Sequence, residues 1–396
     1  MDIIIQPRLL RGQIDIIPSK SQAHRLLICA AFADRPTELR CPQTNRDIEA
    51  TVDCLQALGA QIRRTDTGYA VFPVERVPEA AVLDCCESGS TLRFMLPVAG
   101  SLGVDATFLM AGRLPQRPLS PLWEEMERMG CRLSRPAQDT VRCQGKLRPG
   151  AYRIDGGVSS QYITGLMLGL SLLEGESRLE ITGKIGSKPY IRLTEDAIVQ
   201  FGADPVRLGG VRFRSPGCVD VEGDWSNGAF FVTAAELGSR LDIRGLSHTS
   251  AQGDRAVVEI LAGLREGMAT VSAEDIPDLV PVLSVAAAMG NGAVFTEVSR
   301  LRSKESDRIA STIAMIEGLG GRAEAGEDRL TVYGTGLRGG TVDAVNDHRI
   351  AMSAAIAATV CTEPVTILGA ECVKKSYPHF WEEYSRLGGT YEQYIR

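Results

Sequence analysis

Residues 304–333 read KESDRIASTIAMIEGLGGRAEAGEDRLTVY. Lys304, Glu305, Ser306, Asp307 and Arg308 stand where an apolar run with helical spacing begins, through Ile309, Ile313 and Ile316. Gly320 and Gly321 end that run, as glycine just past the last apolar turn does when it caps a helix. Two short alternating stretches follow, Arg322–Ala325 and Leu330–Tyr333, with a polar, glycine-containing turn between them. That is the pattern of a β-hairpin. The five opening residues are unusual for a helix start. The N–H end of a helix is partly positive and ordinarily carries acids alone; adding Lys304 and Arg308 strengthens its pull on an anion. A single such string is equally well an i,i+4 surface pairing, so its meaning depends on recurrence.

The pattern recurs along the whole chain. Six strongly apolar helix candidates begin near Ser21, Ser90, Ser160, Ser226, Asp278 and Asp347, roughly 70 residues apart except for a shorter step between the fourth and fifth. Each is followed by an amphipathic candidate starting near Arg46, Leu119, Lys188, Gly253, Glu305 and Ser376. Most of these second helices end in a glycine stop, as at Gly59, Gly130, Gly202 and Gly388, and most stops lead into a hairpin signature. A helix apolar all round is buried and an amphipathic one is half-exposed. The unit therefore reads strand, helix, strand, helix, hairpin. The shortening falls after Gly267, where Ala269–Asp275 leaves no room for a full hairpin.

Units of this size cannot each hold a core, so three to a domain are expected, giving an α/β (α+β) chain of two domains. The sixth unit has only one strand after its last helix, at Tyr391–Arg396. The N-terminal stretches Ile3–Gln6 and Gln13–Ile17 are expected to complete it. That places residues 1–17 with 224–396 in one domain and 18–223 in the other, with two crossings near Pro18 and Gly223.

Composition narrows the function classes. A net charge of −6 argues against a general nucleic-acid or membrane surface, while leaving an anionic small substrate open if the cations are local. Ten cysteines occur without metal-ligand spacing and mostly in apolar segments, which fits a reduced, cytoplasmic chain. The N-terminus lacks a basic region and a long apolar run, so no signal peptide is expected. Arginine outnumbers lysine by 36 to seven, and four of those lysines (Lys20, Lys188, Lys304, Lys375) fall at helix starts or loops with candidate chemistry. Lysine is a compact charge that can also release a proton; arginine is not.

The helix starts share basic and hydroxyl residues: Lys20-Ser21, Ser88-Gly89-Ser90, Ser159-Ser160-Gln161, Pro277-Asp278, Lys304-Glu305 and Asp347-His348-Arg349. Each alone is an ordinary cap. Together they would present free N–H groups, dipoles and cations to one anionic ligand site.

In order, the segments S-K-S-x-x-x-R (19–25), G-x-x-x-x-R-P (112–118), S-S-Q (159–161), S-K-P-Y (187–190), E-G-D (222–224), I-P-D (276–278), K-E-S-D-R (304–308), N-D-H-R (346–349) and K-S-Y-P (375–378) resemble the EPSP synthase (3-phosphoshikimate 1-carboxyvinyltransferase) family over essentially the whole chain. The resemblance implies the two-domain enolpyruvyl-transferase fold, with three βαβαββ units per domain and helix N-termini toward a cleft. It implies transfer of an enolpyruvyl group from phosphoenolpyruvate to the 5-hydroxyl of shikimate 3-phosphate, without metal or organic cofactor, by a monomer. Carried over by motif, Ser159, Ser160 and Ser187 would hold the shikimate phosphate. Ser21 and Arg25 would hold its carboxylate and ring edge, with Lys20, Gln161, Tyr190, Asp278 and Lys304 nearby. Lys20, Gly89, Arg117, Gln161, Arg308, Arg349 and Lys375 would meet phosphoenolpyruvate. Glu305 is the candidate acid for the methylene carbon and Asp278 the base for the hydroxyl, with Lys20 assisting. Two positions depart from the family pattern: Glu87 stands where an amide is usual, and Arg300 where some members carry Asn. The sister transferase acting on UDP-N-acetylglucosamine resembles K-N at its start and carries Cys or Asp in a loop. Here Ser21 follows Lys20, and loop 111–120 has neither Cys nor Asp. A non-catalytic anion binder of this shape would not need Asp278 and Glu305.

Overall fold

In the computed structural model, which describes residues 1–394, the chain forms two compact units: Met1–Ile17 with Gly223 onward, and Pro18–Glu222. Each has its own apolar core. In chain order the elements begin with β1 (Asp2–Gln6), β2 (Arg11–Asp15), α1 (Lys20–Ala31), β3 (Thr37–Arg40), α2 (Arg46–Ala57), β4 (Gln61–Arg64), β5 (Gly68–Phe72) and β6 (Ala80–Asp84). Next come α3 (Gly89–Leu102), β7 (Asp105–Leu109), α4 (Leu122–Arg128), β8 (Cys131–Ala137), β9 (Thr140–Gly145), β10 (Ala151–Asp155), α5 (Ser160–Leu170), β11 (Arg178–Thr182), α6 (Lys188–Gln200) and β12 (Cys218–Asp220). The remainder holds α7 (Trp225–Glu236), β13 (Arg240–Arg244), α8 (Val257–Glu266), β14 (Ala269–Ser272), α9 (Val280–Met289), β15 (Ala293–Thr296), α10 (Arg308–Gly318), β16 (Arg322–Ala325) and β17 (Arg329–Tyr333). It closes with β18 (Gly340–Asp343), α11 (His348–Ala358), β19 (Val365–Leu368), α12 (Phe380–Arg386) and β20 (Thr390–Tyr394).

The six apolar helices expected from the sequence are α1, α3, α5, α7, α9 and α11, each starting within two residues of its expected position. They are the cores. Every residue of α11 is buried, and all of α9 except Met289. Their starts are capped by short polar side chains: Ser19, Ser88, Ser159, Asp224 and Asp347 each accept a backbone N–H of the first turn. In α5, Gly165 and Gly169 lie one turn apart on the face toward α3. A Cβ at either would strike the backbone of Arg93 or Pro97, so glycine is what lets the two helices touch. Pro97 lies inside α3 and packs its ring against this bare face.

Four four-stranded sheets lie on these helices, in the orders β12-β3-β5-β4, β6-β7-β9-β8, β14-β15-β17-β16 and β18-β19-β1-β20. Two two-stranded sheets, β10-β11 and β13-β2, complete the six. In each four-stranded sheet the hairpin pairs antiparallel and one strand joins parallel; in the last sheet β1 takes a hairpin position antiparallel to both β19 and β20.

Two expectations need correction. Only β1 completes the sixth unit; β2 pairs parallel with β13, Ile14 against Ile243, in the fourth. Correspondingly, β12 pairs with β3 of the first unit. Where the chain crosses between units, the strand before the crossing stays behind, so the helix after it is served by a strand distant in sequence. The third unit also lacks a hairpin: residues 204–217 run irregularly, tied by single bridges such as Ser177 to Leu208. Among the described residues no helix is long and apolar enough to cross a membrane.

Candidate active site

The sixteen residues singled out in sequence fall into two clusters, one in each unit, each built at helix N-termini. In the unit containing residues 223 onward, three helix starts, those of α9, α10 and α11, meet on one guanidinium. Arg308 opens α10 and is 1% exposed. Its Nε donates to Asp347 Oδ2 at 2.8 Å, its Nη1 to Asp278 Oδ1 at 2.5 Å and its Nη2 to Glu305 Oε2 at 2.5 Å. Arg349, also buried, donates from Nη2 to Asp278 Oδ2 at 3.1 Å and from Nη1 to the Ser226 carbonyl at 2.9 Å. Asp278 is therefore clamped by two guanidiniums, one on each oxygen. Lys304 and Glu305 precede α10 and are half-buried beside it. Lys375 donates to the Asn346 carbonyl at 2.7 Å, just ahead of α11.

The electrostatics follow from this crowding. Burial alone would raise the Asp278 carboxyl, but the charges of Arg349, Arg308 and Lys304 outweigh it and hold it well below the usual carboxylate range. Asp347 is governed in the same way, burial opposing and Arg308 prevailing. Burial brings Lys304 down to about 8, with Asp278 pulling the other way, so part of its population can be uncharged near neutrality. Asp347 caps α11 while it holds Arg308, and it also accepts from Ser306 at 2.9 Å. It was not among the residues chosen from sequence. Its type is that of a plain helix cap, which hid its second role.

In the unit spanning Pro18–Glu222, Lys20 pairs with Asp47 at 2.8 Å, joining the starts of α1 and α2. A hydroxyl chain then runs from His24 through Thr51 to Thr91 and the Ser88 cap of α3. Gln161 of α5 donates to Ser90 at 3.0 Å and accepts from Arg93 at 3.1 Å. Gly89 lies beneath two cations: a Cβ there would come 2.5 Å from Arg117 Nη1 and 2.6 Å from Arg93 Nη1. Arg117 and Gly89 are thus brought together, and Arg93, not among the sequence candidates, joins them. Its place in C-E-S-G-S-T-L-R, one turn after Gly89, was the available signal.

Ser159 caps α5 and Ser160 is its first residue; Ser187 opens α6 in the left-handed region at φ 57°, a costly conformation for a residue with a Cβ. Three serine hydroxyls therefore gather at two helix starts. Tyr190 sits in the first turn of α6. Ser21 lies in the first turn of α1, and its carbonyl accepts from Arg25. Arg25 itself is buried, with further hydrogen bonds to Thr194, Thr164 and the Tyr190 carbonyl. Burial pushes its guanidinium down to about 9, still charged at neutral pH. Most of its donors are already committed, so it braces α1 against α5 and α6 before any ligand arrives.

Each cluster is cationic ground lined by helix N–H groups. One adds half-buried and buried carboxylates to its guanidiniums, and the other adds serine hydroxyls. Such groups suit ligands with phosphate and carboxylate ends, and the carboxylates and Lys304 can move protons.

Comparison with known proteins agrees. Residues 4–384 match the family profile of EPSP synthase (3-phosphoshikimate 1-carboxyvinyltransferase). A curated protein named 3-phosphoshikimate 1-carboxyvinyltransferase from Clostridium kluyveri is 35% identical over 99% of this chain and 98% of its own. Among solved structures, an EPSP synthase from Acinetobacter baumannii superposes with a TM-score of 0.79 at 22% identity, covering 99% of this chain and 100% of that one. The enolpyruvyl transferase NikO from Streptomyces tendae gives 0.76 at 18%, covering 99% and 98%. At those identities the two structures speak for the fold. With the full-length profile and the curated relative, they identify the chain as a member of the EPSP synthase (3-phosphoshikimate 1-carboxyvinyltransferase) family.

Proposed function

We propose that the chain transfers the enolpyruvyl group of phosphoenolpyruvate to the 5-hydroxyl of shikimate 3-phosphate. Addition would give a tetrahedral intermediate, and elimination would release phosphate and 5-O-(1-carboxyvinyl)-3-phosphoshikimate. The observation that carries the chemistry is the clamp of Arg308 and Arg349 on Asp278, beside Glu305. Two guanidiniums that can hold an anion are bound to the carboxylates that can move protons. An incoming carboxylate or phosphate competes for those guanidiniums, and a carboxylate that loses them regains basicity.

On this reading Asp278 takes the proton of the attacking hydroxyl and Glu305 protonates the methylene carbon, with Lys20 assisting. Arg308, Arg349 and Lys375, together with Lys20, Gly89, Arg117 and Gln161, receive phosphoenolpyruvate. The serines Ser159, Ser160 and Ser187 receive the phosphate of shikimate 3-phosphate, and Ser21, Arg25, Tyr190 and Lys304 its remaining edge. Preorganised N–H groups and cations stabilise charge that develops in the intermediate without reorganising at that moment. The protein acts as a cytoplasmic monomer without a cofactor.

A phosphate-release assay tests this. Release is expected with shikimate 3-phosphate plus phosphoenolpyruvate, and none when UDP-N-acetylglucosamine replaces the shikimate. No release with the first pair overturns the reading.

A further inference from the structure

Behind the clamp lies a carboxyl that the proposed chemistry does not use. Asp254 sits in the 3-10 turn Gly253–Ala256 ahead of α8 and is 2% exposed. Its Oδ2 accepts from the Ser226 hydroxyl. Its Oδ1 is buried with no hydrogen-bond partner. Ser226 faces both ways: its hydroxyl holds Asp254, while its carbonyl holds Arg349 Nη1 at 2.9 Å. Arg349 in turn has a buried Nε without a hydrogen-bond partner. A fixed path thus runs from Asp254 through Ser226 and Arg349 to Asp278.

We propose that Asp254 is a positioning residue for this reaction: it fixes Ser226, and through the Ser226 carbonyl the Arg349 guanidinium, the cation that the reading above assigns to phosphoenolpyruvate. The proposal rests on the enolpyruvyl-transfer reading above.

Asp254 fits this role as a neutral acid. A buried carboxylate oxygen without a donor is costly as an anion, and a proton relieves that cost. Burial and the neighbouring Asp278 charge push its carboxyl up to about 7, against Arg349 and the Ser226 hydrogen bond. The groups facing it are Asp224 and Ser226 from α7, Asp278 ahead of α9 and Arg349 from α11. On α8, Glu259 is exposed, and the adjacent Arg255 is engaged with the His248 carbonyl. Below neutrality, then, Arg349 faces the carboxylates of Asp278 and Asp224. Above it, Asp254 ionises, competes for the same guanidinium and opposes an incoming anion.

Steady-state kinetics of the whole protein against pH test this. In the wild type, KM for phosphoenolpyruvate is expected to rise about tenfold between about pH 6 and about pH 8.5, beyond what ionisation of the substrate explains. Asp254→Asn keeps the shape and cannot ionise; it is expected to hold KM within about twofold over that range at nearly unchanged kcat. Ser226→Ala removes the donor that favours the ionised form, and is expected to shift the rise to higher pH. A purely structural Asp254 would lower the melting temperature of D254N and leave its KM profile parallel to the wild type, which overturns the proposal. Should D254N not fold, the S226A profile decides, and an unshifted or downward-shifted rise overturns it. A wild type that releases no phosphate sinks the reaction itself. An active wild type with parallel mutant profiles sinks only the role of Asp254.

Discussion

Arg349 Nη2 donates to Asp278 Oδ2 at 3.1 Å, and Arg308 holds the other oxygen of the same carboxylate. A carboxylate gripped on both oxygens by cations is a weak base. To act as the proposed base, Asp278 needs an anionic substrate to draw those cations away. On the proposed assignment, the pairing ties ligand binding to the appearance of a competent base.

Asp278→Asn keeps the size of the side chain, but sets an NH2 against one of the two guanidiniums and removes the proposed base. Turnover is expected to fall about 100-fold or more while shikimate 3-phosphate still binds, measured by phosphate release and by calorimetric titration. Stability against pH carries a second signature. The folded carboxyls of Asp278 and Asp347 are held below the unfolded value of about 3.9. Their stabilisation is thus complete above that value and lost as pH falls through the folded pKa. Denaturant melts at neutral pH and near pH 3 should show a smaller acid loss in D278N than in the wild type. An identical loss would mean that Asp278 is not clamped in solution.

Arg308 is the keystone of the same cluster, serving Asp278, Glu305 and the fully buried Asp347. Arg308→Met strands those carboxylates without their cation, and breaking a buried pair in this way costs about 3–5 kcal/mol. Arg308→Lys retains the charge but not the planar fork that reaches three partners, so an intermediate loss is expected. Urea melts of the three proteins check the order. A methionine variant as stable as the wild type would show that α9, α10 and α11 do not depend on this network.

Much of this was legible because the apolar helices announce themselves twice, by composition and by cap. Ser88, Ser159, Asp224 and Asp347 each stand immediately before a run that is apolar all round. The exchange of β2 and β12 was not legible. Both strands are short and ordinary, and their partners, β13 and β3, lie roughly 180 or more residues away in sequence. Strand pairing at that distance leaves no local mark. Lys20, Asp278, Arg308 and Arg349 stood out by residue type against their surroundings, whereas Asp47, Asp254 and Asp347 look like the ordinary first-turn acids of helices. Only packing shows that Asp347 and Asp254 are buried and tied to the guanidiniums.

Gly89 has no room for a side chain between the guanidiniums of Arg93 and Arg117. Gly89→Ala moves both cations outward by their flexible ends, so folding should survive. KM for phosphoenolpyruvate is expected to rise about tenfold, with a smaller effect on KM for shikimate 3-phosphate. Equal effects on both constants would place Arg117 away from phosphoenolpyruvate.

Glu87 precedes Gly89 by two residues, and its carboxylate lies against Gly112, where a Cβ would fall onto Oε2. The negative charge therefore stands between the start of α3 and the loop that carries Arg117. If its main effect is electrostatic, it opposes the arrival of an anion. Glu87→Gln keeps the shape and removes the charge, and KM for phosphoenolpyruvate should drop about two- to fivefold at low salt with kcat unchanged. The difference should shrink as salt is raised, because a half-exposed charge is screened. A rise in KM would mean that Glu87 instead holds the Gly112 loop in place, its charge tolerated for the sake of Arg117.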